Sequence, residues 1–284
     1  MLKASNLSKI YNGNTALNNT SIYLKSGTVS GLLGKNGAGK TTLFKIICRL
    51  VKPDSGTIHI ESNKKKAIGA IIEKPGLYTY LNAFENLRLF GKIQNLQLND
   101  KQLEKALLEV GLPINRKDPV KNFSMGMKQR LGIAIALLND PDVLILDEPF
   151  SGLDPIGVSA MIKLIKKLAH KGIAIFISSH LMTELQKCCD YLYVIDQGKI
   201  IEEGATGELM NKLTSSYTIS GSDISKALWL HDITTRVHHK NSITVQCTSE
   251  EISTILKKLL NEGYSISACV PNASLQQFLE TPRS

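Results

Sequence analysis

Residues 34–41 read Gly-Lys-Asn-Gly-Ala-Gly-Lys-Thr, and this octapeptide constrains the fold more than any other stretch of the chain. Two glycines with four residues between them are followed at once by a lysine and a hydroxyl residue. An apolar run, Val29 to Leu33, leads into the loop, and a stretch of helical period, Gly39 to Leu50, leaves it. A short buried strand that feeds a helix in this way needs parallel neighbours, which directs the chain to an α/β architecture. The chemistry follows from the composition. Glycines let the backbone pass close to a ligand and turn successive N–H groups toward one centre. The helix start adds the positive end of its dipole, which favours an anion there. The main chain of Gly34, Asn36, Gly37, Ala38 and Gly39 is therefore read as a phosphate cradle, with Thr42 in the first turn of the helix. Lys40 is expected to reach the β- and γ-phosphates of ATP, and the Thr41 hydroxyl to ligate Mg²⁺.

A second segment, Val143-Leu-Ile-Leu-Asp147-Glu148, supplies the acids that such a loop needs. Four apolar residues predict a buried strand, and two carboxylates emerge at its end. Asp147 is expected to hold Mg²⁺ through water, and Glu148 to polarise the attacking water. The intervening chain has the same α/β rhythm, with strands expected over 57–60, 67–72, 173–177 and 191–195, and helices over 82–97 and 101–110. A short strand at 199–201 completes a hairpin around Asp196-Gln-Gly198. Beyond Thr214 the order becomes strand (217–219), helix (223–230), two strands (234–238, 242–247), helix (250–260) and strand (264–270). That βαββαβ order predicts a ferredoxin-like unit. The expected domains are thus 1–214, with a helical subdomain at about 76–140, and a small α+β unit at 215–284.

Composition narrows the class further. With 43% hydrophobic and 21% charged residues, the 284-residue chain can bury a sizeable core. The strongest apolar run, Leu131 to Leu138, falls well short of the roughly 20 residues that span a bilayer. The first residues lack the apolar centre of a signal peptide. Cys48, Cys188, Cys189, Cys247 and Cys269 have no metal-type spacing and read as free thiols of a reducing compartment. The whole net charge of +9 falls in residues 1–214, because 215–284 carry six basic against six acidic residues. A basic domain suits nucleotide phosphates, nucleic acid or an anionic membrane leaflet, or is simply a solvated surface. Lys64-Lys65-Lys66 reads as an exposed turn, and His231, His238 and His239 lack the spacing of metal ligands. The C-terminal unit reads as a structural or dimer-stabilising appendage.

Between the two phosphate-site motifs stands Phe123-Ser124-Met125-Gly126-Met127-Lys-Gln129-Arg-Leu. In this order and spacing, residues 2 to about 212 resemble the ATP-binding cassette of ABC transporters, a P-loop NTPase with a mixed sheet and a helical subdomain. The family signature is usually Leu-Ser-Gly-Gly-Gln; here Ser124 and Gly126 stand, while Met125 and Met127 replace a glycine and the glutamine. The resemblance implies that Ser124, at the start of a helix, faces the γ-phosphate bound by a second ATP-binding subunit. It also implies that Ser151-Gly-Leu-Asp154 crosses the interface between two such subunits, as in a homodimer. By the same resemblance His180 senses the γ-phosphate and Tyr11 stacks on adenine. Glu73 stands where a glutamine usually contacts Mg²⁺ and couples to the membrane subunit. It keeps an oxygen ligand but adds negative charge beside the metal. Glu73 and the sequence after it resemble the bacitracin-resistance and lantibiotic-immunity branch, whose ATPases drive export of peptide antibiotics. The implied partners are a second ATP-binding subunit and an integral membrane permease, and the implied location is the cytoplasmic face of a bacterial membrane. No direct nucleic-acid partner is expected. The alternative reading is a non-transport ATPase acting on ribosomes or nucleic acid.

Overall fold

Continuous apolar runs flanked by turns become the buried strands of one sheet, and the computed structural model describes them within residues 1–239 and 241–273. The first unit of the chain, Met1–Gly204, opens with β1 (Leu2–Tyr11), β2 (Asn14–Leu24), β3 (Val29–Leu33), α1 (Lys40–Ile47), β4 (Ser55–Ile60) and β5 (Ile68–Ile71). A helical stretch follows, with α2 (Ala83–Ile93), α3 (Asp100–Glu109) and α4 (Met125–Leu137). The chain then returns through β6 (Val143–Leu146), α5 (Pro155–His170), β7 (Ala174–Ser179), α6 (Met182–Cys188), β8 (Tyr191–Asp196) and β9 (Lys199–Ala205).

The main sheet has the order β5-β6-β7-β3-β8-β9. Neighbours from β5 to β8 run parallel, and β3, β6 and β7 are buried at every residue. Burial on both faces is why their sequences are unbroken apolar runs rather than alternating ones. The strand ends are level: Leu33 pairs with Ser179, and Leu146 pairs with both Ile71 and Ile177. The loops that follow β3, β5, β6 and β7 therefore open on one edge of the sheet, where α/β proteins bind ligands. A smaller antiparallel sheet, β2-β1-β4, packs its buried residues into the same core, in which the Phe44 and Phe176 rings lie 4.9 Å apart.

The helical stretch is locally well determined. Asn82 with Glu85, and Asn99 with Gln102, form reciprocal capping boxes at the starts of α2 and α3. Fully buried Asn86 donates to the Tyr78 and Asn82 carbonyls and accepts from the Tyr78 N–H, which fixes the segment between Glu73 and α2. The three lysines at 64–66 are more than an exposed turn: Lys64 pairs with Asp140 at 2.9 Å and Asp142 at 2.8 Å, and Lys66 donates to the Gln94 carbonyl.

The second unit begins at Ala205 and contains α7 (Thr206–Leu213), β10 (Thr214–Gly221), β11 (Thr234–His239), β12 (Ser242–Gln246), α8 (Glu251–Asn261) and β13 (Ile266–Ala273). Its antiparallel sheet has the order β11-β12-β10-β13, which is the ferredoxin-like arrangement. The division falls ten residues before the sequence boundary at 214, because α7 is continuous with β10 and the Thr214 hydroxyl donates to the Met210 carbonyl at 2.7 Å. The helix expected at 223–230 is absent, replaced by 3₁₀ turns at Ile224–Lys226 and Leu228–Ile233. Asp223 is left-handed, with φ 54°, and Ile224, Ala227 and Leu230 are buried at a spacing of three, the period of a 3₁₀ turn. The side chains of His231, His238 and His239 lie outside the described part of the structure. All five cysteines are free, and burial pushes the Cys48 thiol up to about 12 and the Cys247 thiol up to about 11.

Candidate active site

The loop after β3 adopts the backbone that its glycines permit. Gly37 and Gly39 have φ of +83° and +107°, and a Cβ on Gly39 would stand 2.5 Å from the Ala16 carbonyl oxygen. The far side of the loop is tied by a bond from the Gly198 N–H to the Ala38 carbonyl, and α1 begins as the Leu43 N–H bonds to Gly39. Lys40 is only 6% exposed, and its Nζ donates to the Gly34 carbonyl at 2.7 Å. Asn36 and Gly37 are exposed at the loop tip, Ala38 is buried, and Thr42 is half-buried in the first turn of α1. A glycine-rich loop and a buried ammonium thus stand at a helix start, an arrangement that suits an anion.

Four further residues converge on this loop from other strands. The Thr41 hydroxyl donates to Asp147 Oδ2 at 2.8 Å, and the Ser178 hydroxyl donates to Asp147 Oδ1 at 2.5 Å. Both oxygens of this buried carboxylate are thus oriented. The Ser178 oxygen in turn accepts the Glu148 N–H at 2.9 Å, so one serine sets both acids. Glu148 has a left-handed backbone, φ 49°, and its two carboxylate oxygens lie 3.3 Å from Lys40 Nζ and 3.0 Å from His180 Nδ1. A strained backbone held by surrounding contacts is a frequent mark of a functional residue. Behind His180, Ser179 donates to Glu184 at 2.7 Å and accepts from the Leu181 N–H at 3.0 Å. Burial pushes the Glu184 carboxyl up from its ordinary range, and the charge of Glu148 adds to this, against the Ser179 hydrogen bond.

Glu73 lies just past β5, whose Ile71 carbonyl accepts the Asp147 N–H at 2.9 Å. Its own φ is +65°, and its Oε1 is 2.9 Å from Lys45 Nζ. Tyr11, at the end of β1, is 41% exposed, and Lys9 Nζ sits 5.4 Å from its ring centre while pairing with Asp54 at 2.7 Å. Hydrogen bonding to Lys9 holds the Asp54 carboxyl below the usual range.

Ser124, Gly126 and Asp154 stand with a different set of neighbours. Ser124 caps α4, accepting the Met127 N–H at 3.3 Å. A Cβ on Gly126 would be 3.6 Å from Leu153, and one on Gly152 would be 3.6 Å from Met125, so this segment lies on the 151–154 loop. Asp154 caps α5 through a 2.7 Å bond from the Gly157 N–H. The chain therefore carries two clusters, Lys40 to His180 in one and Ser124, Gly126 and Asp154 in the other. Sequence reasoning missed Ser178, Ser179, Glu184 and Lys45; the only signal for the serines was their place beside His180 at a strand end.

The donor set beside the loop is of a kind that fits a divalent cation. A hydroxyl and a carboxylate, both hard oxygen donors, stand 2.8 Å apart where a helix start meets a strand end. Thr41 and Asp147 would hold Mg²⁺ there.

Comparison with known proteins gives a consistent picture. A family model described as ABC transporter matches residues 17–151. The bacitracin transport ATP-binding protein BcrA of Enterococcus faecalis is 38% identical over 255 residues, which cover 87% of this chain and 82% of that protein. The lantibiotic transport ATP-binding protein SrtF of Streptococcus pyogenes is 44% identical over 208 residues, covering 72% of this chain and 90% of that protein. Among solved structures, cbiO1 of Clostridium perfringens, part of the ABC transporter complex cbiONQ, matches with a TM-score of 0.65 at 31% identity. That match covers 73% of this chain and 89% of cbiO1.

Proposed function

Because the chain belongs to the ABC transporter ATP-binding proteins, we propose that it binds Mg·ATP between two copies of itself and hydrolyses it to drive a separate permease that exports a peptide antibiotic. The observation that carries the site reading is Glu148, aimed between Lys40 and His180 beside the Thr41–Asp147–Ser178 chain. Backbone N–H groups of residues 34–39 and the Lys40 ammonium hold the phosphates, and Tyr11 lies under the adenine. Phosphate oxygens replace Glu148 as the anion partner of Lys40, which leaves the Glu148 carboxylate to orient a water molecule. That water attacks the γ-phosphorus, the bond to the bridging oxygen of ADP breaks, and Glu148 takes up the proton of the water. His180 hydrogen-bonds the γ-phosphate and keeps Glu148 in place. Thr41 and Asp147 would hold Mg²⁺, which would supply charge neutralisation for the phosphates.

One phosphate loop and one Ser124 segment per chain make two complete sites only when two chains face each other. The α4 start then presents its N–H groups to the γ-phosphate held by the partner. No helix among the described residues is long and apolar enough to cross a membrane. A permease is therefore a separate chain in this reading, and it brings the protein to the cytoplasmic face. A cavity of about 230 Å³ lined by Ile72, Lys74, Pro75, Leu77, Phe90 and Gly132 lies where the Glu73 loop meets the helical stretch, and suits a docking segment of that permease. The names of BcrA and SrtF support a peptide antibiotic as cargo.

The test is purification of tagged Glu148→Gln protein with ATP from detergent-solubilised native membranes. Turnover is expected to fall at least about 100-fold, the scale of a lost general base. The variant should pair as a closed ATP-bound dimer and bring a polytopic membrane protein with it. Hydrolysis at the wild-type rate would overturn the role of Glu148, and recovery of ribosomes or nucleic acid instead would overturn transport.

A further inference from the structure

Glu73 poses an electrostatic problem. Its carboxylate follows two residues after Ile71, which is bonded to the Asp147 N–H, so a second negative charge is brought toward Asp147 and toward the place proposed for a polyanion. Like charges that converge in this way repel each other and repel phosphate. The helix α1 supplies the answer. Lys45 lies four residues after Thr41, hence on the same helix face one turn further on. Its Nζ reaches Glu73 Oε1 at 2.9 Å, so a unit positive charge stands directly on the carboxylate. Glu73 holds this position with a left-handed backbone, φ 65°, a conformation that glutamate adopts only under constraint.

We propose that Lys45 is a positioning residue that fixes and neutralises the Glu73 carboxylate, so that the pair presents no net charge to the incoming nucleotide. Lys45 thereby acts on ATP through Glu73 and not by contact with phosphate. The inference rests on the nucleotide-site reading given above.

The test is a titration of full-length protein with a fluorescent ATP analogue in EDTA at low ionic strength, where neither metal nor turnover contributes. Lys45→Gln leaves an uncompensated carboxylate and should weaken binding about fivefold, the scale of one unit charge several ångströms away in a solvated site. Glu73→Gln alone should tighten it by a similar factor. The double variant Lys45→Gln/Glu73→Gln, again without net charge, should return to the wild-type affinity within about twofold. Lys45→Arg keeps the charge and should bind as wild type. Both side chains are substantially exposed, and matching thermal unfolding curves check that each variant is folded. If the double variant binds as weakly as Lys45→Gln, the lysine contacts phosphate itself and the proposal fails; it fails too if Lys45→Gln binds as wild type. Lys40→Ala separates the two levels of the argument. Unchanged analogue binding in that variant would remove the nucleotide-site reading itself, whatever the Lys45 series gives.

Discussion

Glu184 is the acid whose behaviour in this site depends most on its surroundings. Burial disfavours its ionised form, the neighbouring Glu148 charge adds to that, and the Ser179 hydroxyl opposes both. Its folded-state pKa is therefore raised above the unfolded one. The folded protein keeps the proton longer, so the contribution to stability is complete below the unfolded value and is lost as pH rises through the folded value. Glu184→Gln preserves an acceptor for Ser179 and removes the ionisation. The variant should melt at a higher temperature than wild type at pH 8, with the difference vanishing near pH 4. Thermal melts across that range check it, and a wild type as stable as the variant at pH 8 would contradict the sign. Which residues could be found from sequence follows from the same geometry. Lys40 and Thr41 are legible because the glycine pattern that marks them is local, within one loop and one turn. Asp147, Glu148 and His180 are legible because buried strands end beside them. Ser178 and Lys45 are not, since their partners Asp147 and Glu73 lie 31 and 28 residues away and only the tertiary fold brings them together.

At the scale of elements, α4 has the most to lose at a single position. Ser124 satisfies an N–H of its first turn, and the helix is buried over residues 131–135, so fraying there disturbs the core. Ser124→Ala should cost about 1 kcal/mol, the usual worth of such a cap. For a unit of this size that is roughly 2–4 °C in melting temperature. Calorimetry of the isolated protein, where no second chain complicates the reading, would detect it; an unchanged transition would mean that the 3.3 Å bond contributes nothing. Elements were legible where one pattern ruled a whole segment. The Val143–Leu146 strand is found to the residue because burial on both faces leaves no alternation to misread. Strands β1 and β2 escaped notice because their pattern is broken: the register shifts several times along the pair, and Asn6, Asn12 and Asn19 are left-handed. The lost helix at 223–230 failed for the opposite reason, since three apolar residues at a spacing of three resemble half of an α-helical face.

Among the described residues, two apolar clusters share no member. One runs from Leu2 to Ile195 and the other from Tyr217 to Leu259, each closed by its own sheet and helices. Every residue of the candidate nucleotide site, from Tyr11 to His180, belongs to the first unit, Met1–Gly204. A domain with its own core is able to fold alone. The second unit also adds little long-range field, because residues 215–284 carry as many acidic as basic groups and the +9 charge belongs to the first part of the chain. The nucleotide site is accordingly treated as the property of the first core. A chain ending at Ala205, which keeps β9 complete, should unfold cooperatively and bind the fluorescent ATP analogue within about twofold of the full-length protein. Titration of the two chains side by side decides it. Weakened binding by a truncated chain that still unfolds cooperatively would mean that the ferredoxin-like unit shapes the phosphate site from outside it, and the nucleotide site could no longer be treated as the property of one core.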